Sequence, residues 1–150
     1  MSKQKEKPGS IVIITIDNGY HIYARVLNYG DLAFYDKQYD YTENDLHSIV
    51  NQPILFKAIV NEGGVKYGRW RIIGFVPLEN DLQESKYYLS MGSDSECGTY
   101  INGVVTLHIP KNNCKGMESG AVWDPELIEN RIRDHYNGVS NYFGLQHPRL

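Results

Sequence analysis

The 150-residue sequence predicts an α+β, mostly β domain: a twisted antiparallel sheet or small open barrel with one C-terminal helix packed against it. Three observations predict it. Short β-branched or alternating runs recur along most of the chain, separated by turn residues. Two Asn-Gly pairs, Asn18-Gly19 and Asn102-Gly103, stand between such runs, and Asn-Gly favours a tight type I′ hairpin because both residues accept positive φ. Only one segment, Pro125–Asn137, joins helical periodicity to start and stop signals.

The elements follow in order. Residues 1–8 are polar, end at Pro8-Gly9 and are expected to be a disordered tail, which leaves 9–150 as one domain. Residues 11–16 (IVIITI) are β-branched on both faces and predict a strand covered on both sides. After the first Asn-Gly turn the chain alternates. Tyr20, Ile22, Ala24 and Val26 share one face; His21, Tyr23, Arg25 and Leu27 share the other. The turn at residues 28–31 leads to a third strand at 32–35, completing a meander. Residues 36–52 are polar and acidic and predict a loop with one short helix near 44–50. Strands follow at 54–60, at 70–76 (stopped by Pro77) and at 86–91, with a second hairpin from 99 to 109. Residues 82–85 favour no one structure.

In the helix Asp124 is placed as N-cap, with Pro125 at the first helical position, where its missing N–H costs nothing. Trp123 stands at hydrophobic-staple spacing from Ile128, and Gly138 is a ready left-handed C-cap. With Leu127 at zero and about 100° per residue, Ile128, Ile132 and Tyr136 fall between roughly 100° and 180°. Arg131 and His135 fall within the same apolar arc. Arg131 is therefore expected to be a partly buried lock, its guanidinium held by a carboxylate or by backbone carbonyls. Glu126, Glu129, Asn130, Arg133, Asp134 and Asn137 take the other side. Residues 139–150 are expected to lie over the surface.

Composition narrows the function. A chain with 41% hydrophobic and 22% charged residues is globular. The longest apolar run, 11–16, is too short for a membrane span, and the first ten residues lack the apolar stretch of a signal peptide. Two cysteines, Cys97 and Cys114, are too few for a disulfide framework, so a cytoplasmic location is expected. The net charge is −3, and setting aside Lys3, Lys5, Lys7 and Glu6 leaves twelve basic and seventeen acidic residues, a balance of −5. An acidic body is a poor match for a phosphate backbone and a good one for a basic protein.

No motif for a nucleophile elbow, a zinc site, a phosphate loop or a cofactor is present, and the five histidines have no ligand spacing. Neither a catalytic residue, a metal nor a cofactor is assigned. Two acidic stretches are the candidate contact surface. One holds Asp36, Tyr39, Asp40, Tyr41, Glu43 and Asp45; the other holds Glu79, Asp81 and Glu84. Tyrosine supplies anchoring area and the acids steer a basic partner. The chain has 12 Tyr against 4 Phe, and most of the Tyr fall in expected strands or the helix; Tyr39 and Tyr41, then Tyr67 and Tyr142, are those left for contact.

The order of motifs resembles the immunity protein 26 family. The resemblance is carried by residues 7–14 (KPGSIVII), 23–27 (YARVL), 33–36 (AFYD), 68–78 (GRWRIIGFVPL) and 114–124 (CKGMESGAVWD), with Ile128, Arg131–Asp134 and Gly138, and spans about residues 7–143. It implies a cytoplasmic immunity protein of a bacterial polymorphic toxin system, which binds a cognate toxin and has no assigned enzymatic activity. On that reading Trp70 and Trp123 are core aromatics, Asp124 a cap, Arg131 a lock and Gly138 a helix stop, and toxin specificity lies in loops such as 36–47 and 79–98. Ser10 departs from the family opening, where an acid is frequent. Two other classes are the alternatives. An SH3-like barrel binding nucleic acid fits the opening strand but not the acidic body. A small enzyme using Cys97 or a histidine has no supporting constellation.

Overall fold

The computed structural model describes residues 3–17 and 19–150. Strand β1 (Ser10–Asp17) sits inside the main sheet because it is β-branched on both faces: Val12, Ile14 and Ile16 point to one side, Ile11 and Ile13 to the other. It pairs antiparallel with β2 (Tyr20–Val26), the last partners being Asp17 and Tyr20. Asn18 of the first expected type I′ turn lies outside the described residues; Gly19 has φ +90°. β3 (Asp31–Tyr35) pairs with β2, and β4 (Ile54–Val60) with β3. β5 (Arg71–Phe75) pairs with the free side of β1.

The connection after Pro77 leaves this sheet and starts a second one. There β6 (Lys86–Ser90), β7 (Glu96–Ile101) and β8 (Val104–Pro110) are antiparallel neighbours. The β7–β8 hairpin turns at Asn102 (φ +48°) and Gly103 (φ +82°), both positive as a type I′ turn requires. β9 (Glu118–Ser119) adds to β6 in parallel, and β10 (Val122–Trp123) returns to the first sheet, parallel to β4. The orders are β10-β4-β3-β2-β1-β5 and β8-β7-β6-β9. The fold is mostly β with a C-terminal helix, as expected. Its strands form two mixed sheets, neither closed into a barrel. They meet through side chains: buried Asp31 of β3 accepts from Ser85 Oγ (2.7 Å) and Tyr87 Oη (2.5 Å).

Helix α2 (Pro125–Asn137) follows α1 (Leu46–Val50) in the chain and is the longer of the two. It lays Ile128 and Ile132 on one face of the large sheet, in a core shared with Trp70, Trp123, Phe34 and Phe56. Gly138 ends it at φ +70°, ψ 25°, the left-handed stop that a Cβ would disfavour. Asp124 occupies the N-cap position, but its side chain makes no capping bond; it accepts from Asn61 Nδ2. The polar side of the helix also works: Glu129 accepts from Trp70 Nε1 (2.9 Å) and Arg69, and Arg133 donates to the Ile16 carbonyl (2.7 Å). α3 (Tyr142–Gln146) covers Trp123 with Phe143, ring to ring at 4.5 Å.

Three further expectations change. The expected frayed tail is tied at Gln4, whose side chain donates to Val65 O and Trp70 O and accepts from Ile72 N. Cys97 and Cys114 are bonded to each other, so Cys97 has no free thiol for nucleophilic chemistry. Arg131 has no hydrogen-bonded acceptor among the described residues; its guanidinium lies 3.7 Å from the Phe56 ring centroid and 5.1 Å from that of Trp123. The lock is a cation–π stack because the helix meets the sheet where aromatic faces, not carbonyls, are presented. Burial among those rings lowers the pKa of the guanidinium.

Candidate functional site

The face of the large sheet opposite α2 is the His21, Tyr23, Arg25, Leu27 face of β2. Two crossing segments close it, and each carries one of the acidic stretches.

The first runs from Asp36 through α1. It is fastened to β2 by a pair of backbone hydrogen bonds, Tyr39 N to His21 O (2.8 Å) and His21 N to Tyr39 O (2.9 Å). The Tyr39 ring lies parallel to His21 at 5.8 Å and edge-on to Tyr23 at 5.0 Å. Tyr23 Oη bonds His21 Nε2 and accepts from the Glu43 amide, both at 3.0 Å. Burial lowers the His21 pKa and pushes the Tyr39 hydroxyl up to about 12. Tyr39 is 1% exposed, and its hydroxyl has no hydrogen-bond partner. The expectation that Tyr39 is a surface contact is therefore corrected: the strand-like pairing with His21 turns its ring inward.

The remaining residues of this stretch divide by use. Asp36 accepts from Tyr136 Oη (3.0 Å), and its carboxylate lies 3.4 Å from His135 Nε2, on the α2 side. Glu43 accepts from the Asp45 amide, and Asp45 caps α1 through the His47 and Ser48 amides. Asp40 and Tyr41 are exposed, Tyr41 at 50%, and Asp40 has no side-chain partner among the described residues.

The second segment, residues 76–85, crosses the other end of the same face. Arg25 anchors it. The guanidinium is fully buried and donates to Val76 O, Pro77 O, Tyr35 Oη and the Glu79 carboxylate. Sequence reasoning missed Arg25, although its alternation with Tyr23 and Leu27 was a signal that it faces a covered side. Glu79 is thus held by an ion pair at 2.9 Å, Glu84 faces Lys86 at 3.4 Å, and Asp81 is exposed and unpaired among the described residues.

Between the segments lies a groove of about 360 Å³ whose only charged lining residues are Glu79 and Asp81, with Tyr35, Asn51 and Gln52 beside them. At Ile54 and Asp81 it meets a larger groove of about 580 Å³. There Glu84 and Glu118 are offset by Lys57, Lys86, Lys115 and Arg149, so the acidic character belongs to the smaller groove and to the exposed Asp40–Tyr41 turn. The structural residues of the sequence reading stand apart from both: Trp70 and Trp123 are each 1% exposed, and Asp124, Arg131 and Gly138 belong to α2 and its ends.

Comparison with known families gives the class: an immunity protein. Residues 7–95 match the family described as Immunity protein 26, and the chain belongs to that family. The match takes in the motifs at 7–14, 23–27, 33–36 and 68–78, while the closing block from 114 lies beyond it. No curated protein and no solved structure matches.

Proposed function

We propose that this protein binds a cognate toxin of a bacterial polymorphic toxin system in the cytoplasm and neutralises it by covering its active site or substrate groove, without chemistry of its own. Membership of the Immunity protein 26 family carries the reading. The placement of both acidic stretches on segments anchored over one sheet face supports the choice of surface. Asp40 and Asp81, exposed and without charge partners among the described residues, and the exposed Tyr41, whose hydroxyl donates to Glu43, are its foremost contacts, with Glu79 fixed behind them by Arg25. Acidic groups raise the association rate with a basic partner, of which a nuclease is the plainest example.

The test is association with the toxin encoded beside this chain, measured from low to high salt. Binding should slow as salt screens the acids, since the Debye length falls to about 8 Å at physiological ionic strength. Asp40→Asn with Asp81→Asn should lower the association rate more than the dissociation rate. A purified pair that forms no complex at low salt overturns the proposal.

A further inference from the structure

We infer that two copies of this chain associate edge to edge through β8, joining their smaller sheets into one continuous sheet across a twofold axis. The observation is a difference among sheet edges. A bare strand edge is a template for another strand, and proteins normally shorten it, charge it or cover it. Here β9 and β10 are only two residues long. The β5 edge is occupied by Gln4, which accepts from Ile72 N at 2.8 Å and donates to Trp70 O at 2.7 Å. β8 is seven residues long and has no strand on its outer side among the described residues. Its Val104, Val105 and Leu107 are 63%, 55% and 53% exposed. No Lys, Arg, Asp, Glu or Pro interrupts residues 104–109.

The register follows from the hairpin. Ile101 and Val104 close the two-residue turn, so alternation points the backbone groups of Val105 outward. His108, at φ +60°, and the register shift opposite Gly98 end the regular edge at Leu107. The usable template is thus the β8 residues 104–107, with Val105 at the centre of the pairing. Antiparallel pairing of this stretch with itself is self-complementary: Val105 meets Val105 of the second copy, and Val104 meets Thr106. Charge selects the occupant. The chain carries −3 overall, yet this edge is uncharged, so two copies meet there without facing like charges. The basic partner proposed above has its complement elsewhere, on the acidic segments. An interface this small gives weak, reversible association.

The experiment is sedimentation equilibrium of the full chain, its Cys97–Cys114 bond intact, from about 10 μM to about 1 mM, the range in which small interfaces act. The weight-average mass should rise from 17.2 kDa toward twice that value. Val105→Lys, at an exposed position, should stay at the monomer mass while keeping the wild-type thermal midpoint. Hydrogen exchange at the Val105 amide should slow with concentration in the wild type only. A wild type that remains at 17.2 kDa throughout, or a Val105→Lys chain that associates equally, overturns the inference. So does a monomeric wild type whose toxin binding is lost in Val105→Lys, which would give the edge to a toxin strand instead.

Discussion

Arg25 and Glu79 form an ion pair in which the guanidinium is wholly buried while the carboxylate is about half exposed. The cation tolerates burial because every direction of its fork finds an oxygen: the Val76 and Pro77 carbonyls, the Tyr35 hydroxyl and Glu79. One strand residue thereby fixes the path of a whole crossing segment.

Removing that fork should be severe. Arg25→Ala leaves the Val76 and Pro77 carbonyls without their donor and empties the space of a fully buried side chain, at a cost of about 3–5 kcal/mol in urea unfolding. Glu79→Gln should cost clearly less, because the exposed carboxylate is solvated when unpaired and its pairing is partly screened.

Tyr39 and Tyr41 should separate in a way their sequence positions conceal. Tyr39→Phe removes a hydroxyl that has no partner and should leave stability unchanged or slightly raised. Tyr39→Ala empties a buried site and should cost about 3–5 kcal/mol. Tyr41→Ala should stay within about 0.5 kcal/mol of wild type and act only on toxin affinity. Thermal melts of the three variants beside binding isotherms check this.

Glu129 sets a pH dependence. Burial favours its neutral form, but hydrogen bonds from Arg69 and Trp70 and the nearby positive charges outweigh that and hold its pKa below the ordinary 4.5. The unfolded chain then takes up the proton more readily, so the stabilisation is present above pH 4.5 and drains away as pH falls below it. Glu129→Gln should cost about 1.5–3 kcal/mol near neutrality. The gap to wild type should narrow in urea titrations at acidic pH; a constant gap would exclude the carboxylate as its source.

Arg131 should depend on shape as much as on charge. Arg131→Lys keeps the cation but loses the guanidinium set over the Phe56 ring, and should cost about 1 kcal/mol. Arg131→Ala also loses the packing of the stem and should cost more. Denaturant midpoints for the pair measure the difference.

The fold was legible where local chemistry decides. β-branched runs, Asn-Gly turns and the Asp124-Pro125 to Gly138 frame each carry their own reason, and the strands at 54–60 and the helix at 125–137 fall where the pattern puts them. What was hidden depends on distant partners. β9 and β10 are too short to show a period, and they are what make the two sheets mixed. Gln4 looks like tail until the residues at 65–72 come to meet it. Of the candidate site, composition marked both acidic stretches but could not tell that Tyr39 turns inward or that Glu79 is already paired, because both facts come from β2 residues on another part of the chain.

The crossing segments are held from beneath, one at His21 and Tyr23 with Ile49 buried beside them, the other at Arg25 with Leu82 buried against Leu27 and Ala33. The exposed Asp40–Tyr41 turn between these anchors belongs to none of the buried clusters. Rewriting that turn should therefore leave the scaffold's stability nearly unchanged, which would open the proposed contact surface to redesign by a lineage or an engineer.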